Sequence, residues 1–423
     1  MAAPVAAAGA ARVSRGLTRP FLRPVLTPIA LAAGLCAALS AQAQEAAPAP
    51  TLAEVTVTGL PLAADDMAAP VSVLEGEVWQ LRRGATLGES LAGEPGIQAT
   101  HFGAGASRPV IRGMDGPRVG VLANGMELHD ASTISPDHAV VTEPLLAERV
   151  EVLRGPAALV HGGAVGGVVN VVDQKIPTAL PENGLEGTAE LRWGSAANER
   201  AGVVGLTAGK GPLALRVEGA SRRAGDYRVG SGWAGGRKVD GSFNETDTGS
   251  IGLSWIGSAG YLGLAYTRQQ AQYGLPGHTH GFEDCHTHGL GANMHLHCGG
   301  HGHADHDDHD HDDHDHDHDH SVPVVDMTSH RWDVRGQWNA PLQGIEAVRL
   351  RASHTRYGHD EVEGDAVATR FRNRAHDVRV EVQHAPLAGW RGVWGLSTGQ
   401  RQFSADGEEA YVQSTDTRRL GLF

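Results

Sequence analysis

The chain has 423 residues, of which 57 are glycine, 41% are hydrophobic and only 20% are charged. Its formal net charge is −14, but residues 278–320, which hold eleven Asp and Glu and no Lys or Arg, carry −11 of it. An acidic chain has no electrostatic basis for binding nucleic acid, which excludes that class of partner. No apolar run of about 18 residues follows residue 45, which argues against membrane-spanning helices but not against spanning strands.

The first 43 residues have the features of an export signal peptide. Four arginines precede an apolar segment at 29–39, and Ala41 and Ala43 supply small residues for cleavage. An N-terminal membrane anchor is the alternative, but the apolar segment is too short to span a bilayer. The mature chain would then hold two cysteines, Cys285 and Cys298, in an oxidising compartment.

Residues 44–69 predict a disordered linker that contains one short β-branched segment. The segment consists of Glu54, Val55, Thr56, Val57 and Thr58. A strand-like peptide on a flexible linker is suited to adding to the edge of a partner's sheet. An ordinary first strand is the alternative interpretation.

Residues 70–175 predict a compact α+β domain. The predicted strands are 71–74, 109–113, 118–122 and 149–153, and Thr86 is predicted to cap a helix that runs to Leu91. A glycine-rich loop at 162–167 lacks the Gly-Lys-Ser/Thr signature and the following helix that a phosphate-binding loop needs.

From residue 185 onward, segments of alternating apolar and polar residues are separated by Gly, Asp and Asn turns, as in a membrane β-barrel. Ten such segments are predicted, at 187–193, 202–209, 213–222, 248–256, 261–271, 331–338, 348–355, 377–384, 390–399 and 418–423. A soluble β-sandwich is the alternative, but these strands are long and do not fit a two-sheet count. The pattern therefore favours a barrel.

A predicted loop at 274–327 is rich in metal ligands. Its residues 301–320 contain nine His and nine Asp and no large apolar side chain, which predicts a mobile segment. Neutral imidazole suits Zn, Cu, Ni and Fe, so we expect fast, weakly selective capture of several ions. The candidate ligands are His278, His280, His286, His288, His295, His297, His301, His303, His306, His309, His311, His314, His316, His318 and His320.

The two cysteines of this loop allow two interpretations. Cys285 and Cys298 form a disulfide that closes the base of the loop, which the oxidising cell surface favours. Alternatively, both thiolates bind zinc together with neighbouring histidines.

In this order, the segments resemble a TonB-dependent outer-membrane receptor. The most specific matches are residues 108–113 and 148–156, and residues 54–58 resemble the TonB box. Within the family, residues 135–138 and 357–361 and the Cys/His/Asp-rich loop resemble the zinc-uptake receptors.

The resemblance implies a transmembrane antiparallel β-barrel with an N-terminal α+β plug domain. It implies a place in the Gram-negative outer membrane, in contact with its lipid, and TonB with its inner-membrane energising complex as partner. Because the family's barrel has about 22 strands, it also implies that this chain is the N-terminal part of a longer receptor.

The resemblance further implies a selective zinc site in which Asp137 and His138 of the plug face Glu361 of the barrel wall, with a further His from a later strand. His359 and Asp360 rank behind these residues, and His129 and His161 are predicted to be structural. Zinc is then a transported ligand, and no catalytic cofactor or enzyme activity is expected, because no nucleophile elbow or HExxH helix is present. The alternatives are uptake of haem, a siderophore or another metal chelate, or a surface protein that buffers metal without transport.

Overall fold

The computed structural model describes residues 71–423 apart from residue 163 and segments 232–235, 277–284, 289–294, 299–321, 408–409 and 411–412. Its first part, to residue 173, contains short strands and helices. In chain order these are β1 (Val71–Leu74), α1 (Gly76–Arg82), α2 (Leu87–Leu91), β2 (Ile97–Ala99), β3 (Pro109–Ile111), β4 (Val119–Ala123), β5 (Met126–Glu127), β6 (Ala147–Leu153), α3 (Pro156–Leu159) and β7 (Gly167–Asp173).

Five of these strands form one small sheet in the order β1-β6-β7-β4-β5. Strand β7 reads Gly-Val-Val-Asn-Val-Val-Asp and is buried on both faces, as a central strand requires. Helix α2 begins where the Thr86 side chain accepts a hydrogen bond from the Glu89 backbone amide, which satisfies one free N–H of the first turn. Trp79 of α1 packs into the same core and donates a 2.9 Å hydrogen bond to the Ala147 carbonyl.

The second part is a large antiparallel sheet, with a small separate hairpin. The strands that follow β7 are β8 (Leu185–Gly194), β9 (Glu199–Lys210), β10 (Leu213–Ala224), β11 (Asn244–Gly257), β12 (Gly260–Gly274), β13 (Cys285–His288), β14 (His295–Cys298), β15 (Val324–Asn339), β16 (Ile345–Glu363), β17 (Ala366–Leu387), β18 (Trp390–Gly407) and β19 (Thr415–Leu422). Among the described residues, the large sheet contains ten strands in the order β19-β18-β17-β16-β15-β12-β11-β10-β9-β8. The hairpin of β13 and β14 lies within the predicted loop and pairs Cys285 with Cys298.

The polarity of the large sheet is inverted relative to that of a soluble sheet. On β10, Leu213 and Val217 are 49% and 48% exposed, whereas Arg216, Glu218 and Arg222 between and beyond them are buried. Leucine, valine and tryptophan side chains therefore face outward along the strands, and polar side chains face inward. This alternation is the pattern of a strand with lipid on one side and a polar interior on the other.

The small sheet and its loops contact the inward face of the large one. The Arg222 guanidinium lies 3.3 Å from the Glu143 carboxylate, and the Lys175 ammonium lies 2.9 Å from Asp333 on β15. Lys175 also binds Asp173 at the end of β7, and Arg335 lies 2.9 Å from the same carboxylate. Buried charges of both parts are thus paired across the contact.

The contact is also close sterically at one loop. Gly105 packs so tightly that an added Cβ would lie 2.3 Å from the Tyr273 ring, so only glycine fits there. In the described part of the chain, none of the helices is long and apolar enough to cross a bilayer.

Candidate metal centre

Two segments that are far apart in the chain meet at one buried point. The first is the loop between β5 and the turn at Pro144–Leu146, which carries Asp137 and His138. The second is the end of β16, where the alternation of the strand turns His359 and Glu361 inward. A register shift between Glu361 and Val362 interrupts the pairing with β17 at this point. Such bulges commonly redirect a side chain at a functional site.

The ligand atoms of His138, His359 and Glu361 all lie within 4.8 Å of one another. Oε1 of Glu361 is 2.9 Å from Nε2 of His138 and 3.6 Å from Nε2 of His359. Oδ1 of Asp137 is 3.9 Å from the same His138 nitrogen. The Ser135 hydroxyl donates a hydrogen bond to this Asp137 oxygen. Two imidazoles and one carboxylate therefore converge on one volume, and the Asp137 carboxylate lies beside it.

Both imidazoles are oriented by contacts at the other ring nitrogen. Nδ1 of His359 lies 2.7 Å from the Tyr357 hydroxyl, and Nδ1 of His138 lies 3.4 Å from the Ala131 carbonyl. Nε2 of His359 is buried and has no hydrogen-bond partner within the described residues. An orienting partner at Nδ1 and a free lone pair at Nε2 are what a metal-binding imidazole requires.

The centre is enclosed. His138 and His359 are each 1% exposed, Glu361 5% and Asp137 6%. The Phe371 ring stacks on His359 at 4.4 Å between ring centres and meets the edge of His138 at 4.7 Å. The buried Phe371 ring lowers the local dielectric constant, so charges within the centre interact strongly.

The electrostatics favour a positive charge at His138. Burial lowers the pKa of His138, but the hydrogen bond to Glu361 and the nearby Asp137 carboxylate more than offset burial and leave the pKa raised. A metal ion that binds here therefore displaces a proton, and its affinity falls as the pH is lowered.

The structure brings Asp137, His138 and Glu361 together, as the resemblance implied. It adds His359, which the sequence analysis ranked behind them. The signal was present in the period-two alternation of a strand, because residues 359 and 361 must share a face. Asp360 lies on the opposite face, where it binds Arg370 and Arg372.

The remaining predicted site residues are not tested by this geometry. The side chains of the His-rich loop, of Cys285 and of Cys298 lie outside the described residues, as do residues 54–58 and the export signal. His129 contacts Asp377 of β17, and Asn373 donates a 2.7 Å hydrogen bond to the His129 carbonyl, which suits a structural residue.

The small sheet identifies the class of protein. The family described as TonB-dependent Receptor Plug Domain matches residues 63–168, so this part of the chain is such a plug. Proteins with this plug are outer-membrane proteins, and this chain is accordingly an outer-membrane protein.

Individual relatives agree with this class. The chain is 30% identical over 155 residues to the vitamin B12 transporter BtuB of Photobacterium profundum, covering 36% of this chain and 25% of that one. It is 32% identical over 117 residues to the hemin receptor of Yersinia pestis, covering 27% of this chain and 17% of the receptor.

Two solved structures share the fold. The copper transporter OprC matches with a TM-score of 0.59 and 16% identity, over 86% of this chain and 50% of its own. The hemophore receptor HasR of Serratia marcescens matches with a TM-score of 0.61 and 15% identity, over 84% of this chain and 49% of its own. The predicted fold class, a β-barrel with an α+β plug, is confirmed. The chain spans about half the length of these structures.

Proposed function

We propose that this chain belongs to a TonB-energised outer-membrane receptor that takes up zinc. The observation that carries the proposal is the buried group of His138, His359, Glu361 and Asp137. The plug, and the resemblance of residues 54–58 to a TonB box, support TonB as the partner. The matched relatives are transport receptors, which supports transport over buffering and over catalysis.

The donor set supports a bare divalent ion as the cargo. Nitrogen and oxygen donors in a closed, four-ligand arrangement are typical of Zn²⁺, which accepts a tetrahedral geometry without cost. The ligand atoms of His138, His359 and Glu361 lie within 4.8 Å of one another, a spacing that one ion can bridge, and Oδ1 of Asp137 lies 3.9 Å from Nε2 of His138. Two carboxylates and two neutral imidazoles would neutralise a 2+ charge in a site that excludes water.

The His/Asp-rich loop has a different role in the proposal. Its repeated ligands raise the local concentration of metal at the cell surface without a fixed geometry. Selectivity then rests on the enclosed centre, whose ligands are fixed by Tyr357 and Phe371. The Cys285 and Cys298 backbones are paired across a hairpin, a spacing compatible with a disulfide at the base of the loop.

A second candidate is uptake of haem, a siderophore, vitamin B12 or copper. It is favoured by the names of the relatives, which include a hemin receptor and a copper transporter. A chelate would need a larger cavity than the enclosed group, and a cavity of about 580 Å³ lies between the plug and strands β17, β18 and β19. Copper would use the same donors, because Cu²⁺ binds nitrogen and oxygen ligands more tightly than Zn²⁺.

The test is zinc calorimetry on the full-length protein with Glu361→Gln, which removes the charge and keeps the shape. Asp360→Asn is the matched control, since it lies on the same strand and faces outward. We expect Glu361→Gln to abolish one tight binding phase and Asp360→Asn to keep it. Retention of that phase in Glu361→Gln would contradict the proposal. Tight binding of hemin or copper that Glu361→Gln abolishes, without a tight zinc phase, would favour the second candidate.

A further inference from the structure

The outward face of the large sheet is organised in rows of residues that the strand register places side by side. One row contains Trp338, Val348, Val382 and Trp394, near the short turns. A second, further along the strands, contains Tyr266, Trp332, His354 and His376. The positions between these rows on the same strands are Leu, Val, Ala, Gly and Thr. The two aromatic-bearing rows thus enclose an apolar belt.

The next row beyond the belt is cationic. It contains Arg268, His330, Arg356 and Arg374, which are successive partners on β12, β15, β16 and β17. We call it the arginine row. Its three arginines are exposed and point away from the plug.

The arginine row lies at the level of lipid headgroups. His330 lies eight positions before Trp338 on β15, which is roughly 26 Å along a strand at ~3.3 Å per residue. A strand tilt of about 40° reduces this to roughly 20 Å, close to the ~25 Å apolar band of outer-membrane barrels. The row therefore meets the membrane where apolar chains give way to polar groups.

The side of the membrane follows from the connections. Short turns at 211–212, 258–259 and 340–344 join the strands at the Trp338 end. At the arginine end the strands are joined by long connections at 225–243 and 275–323, together with short turns at 195–198 and 364–365. Short turns lie on the periplasmic side of such barrels and long loops on the outside. The arginine row thus faces the outer leaflet.

On β16 and β17 arginines outnumber carboxylates at this level, and the adjoining strands place Asp326 opposite Asp360 and Asp406 opposite Arg370. The outward positions from 354 to 360 and from 370 to 376 hold four arginines and one aspartate. The aspartate, Asp360, binds both Arg370 and Arg372 at 3.0–3.1 Å. Among the described residues, Arg356 and Arg374 have no carboxylate partner, and Arg356 donates only to His354. Two guanidinium groups are left for an external anion.

We propose that Arg356 and Arg374, with Arg268 at the end of the row, bind the phosphate groups of an outer-leaflet glycolipid of the lipid A type. The guanidinium fork matches phosphate in a bidentate geometry, and weak hydration makes it suited to the membrane interface. The acyl chains of the same lipid would lie on the apolar belt directly below. One lipid molecule would then pair with the arginine charges and cover the apolar belt.

The test is native mass spectrometry of the full-length protein in detergent with diphosphorylated lipid A. Arg356→Gln with Arg374→Gln should weaken retention about 30-fold, because each arginine near a lipid surface contributes ~1 kcal/mol. Retention of dephosphorylated lipid A should not change. Arg356→Lys with Arg374→Lys keeps the charge and loses the bidentate fork, so its retention should lie between those of wild type and the double glutamine variant, which separates loss of charge from misfolding.

The matched control is Arg223→Gln. Arg223 is also exposed on the outer face, but it is paired with Asp247 and Glu245 at 2.5 and 3.3 Å. Its replacement should leave lipid retention unchanged. Equal retention by wild type and the double glutamine variant would overturn the proposal. So would equally tight binding of inorganic phosphate, since a headgroup site must also draw on the apolar belt.

Discussion

Replacing Tyr357 by phenylalanine should weaken zinc binding without removing a ligand. The Tyr357 hydroxyl lies 2.7 Å from Nδ1 of His359, whose Nε2 faces Glu361. Zinc binding through Nε2 requires the proton to be on Nδ1, where the hydroxyl accepts it in a hydrogen bond. Phenylalanine keeps the aromatic ring at residue 357 and removes this acceptor, so the His359 imidazole loses its tautomer preference and one of the two contacts that orient it.

The expected loss in zinc affinity follows from this role. Partners that orient a metal-binding histidine contribute about 10- to 100-fold in affinity, or ~1.4–2.7 kcal/mol. The same change removes one hydrogen bond from a side chain that is 4% exposed, which costs stability about 1 kcal/mol. Binding should therefore suffer more than folding.

The assay is calorimetry of the tight zinc phase, with unfolding by denaturant measured in parallel. Tyr266→Phe is the control, because its hydroxyl lies at the same 2.7 Å from Nδ1 of His330 but on the outward face. It should leave zinc affinity unchanged. If Tyr357→Phe binds zinc within twofold of wild type, His359 is not a ligand. If both variants lose affinity equally, the effect is not specific to the centre.

Three further outcomes are expected. Deleting 301–320 should lower zinc uptake when zinc is scarce and spare it when zinc is abundant, as radioactive zinc uptake would show; loss at every concentration would make the loop itself the transport site. Alkylation of the exported, unreduced protein should leave Cys285 and Cys298 unlabelled until reductant is added, whereas labelling released by a chelator would indicate a zinc-thiolate site. Asp173→Asn should lower the free energy of unfolding by about 3 kcal/mol at neutral pH, because it removes one partner from a buried ionic network. Burial raises the pKa of Asp173, but the positive charges of Lys175 and Arg335 lower it by more, so that the pKa lies well below its usual range. The difference in stability should therefore be complete above pH ~4 and vanish as the pH falls through the native pKa; denaturant unfolding at several pH values checks this, and a constant difference would contradict it.

The sequence predicted the strands best where apolar and polar residues alternate. All ten segments of the large sheet were predicted, since a lipid-facing strand must alternate along its length. Strand β17 was predicted at 377–384 but extends over Ala366–Leu387. The half of β17 at the arginine end presents Arg370, Arg372 and Arg374 outward, beyond the apolar belt. Because charged residues occupy the outward positions there, apolar and polar residues do not alternate, and hydrophobic periodicity could not predict the full length of β17.

The metal centre was less accessible to sequence reasoning. Asp137 and His138 lie in a loop without periodicity, and nothing local relates them to Glu361. Only a family resemblance could join them, because the contact depends on how the plug packs inside the sheet. The hairpin of β13 and β14 was also not predicted, since its residues resemble the ligand-rich loop around them. Strand β15 begins at Val324, three residues before the predicted end of that loop.

The candidate metal centre is divided between the plug and the wall of the large sheet. His138 and Glu361 are 223 residues apart in the chain, yet their ligand atoms touch. A bound ion would act as a removable cross-link between the plug and the wall. If the plug were pulled inward, the four donors would separate into two pairs, and neither pair alone is a closed tetrahedral site. Under the proposed uptake function, a displacement of the plug would therefore also weaken binding of the ion.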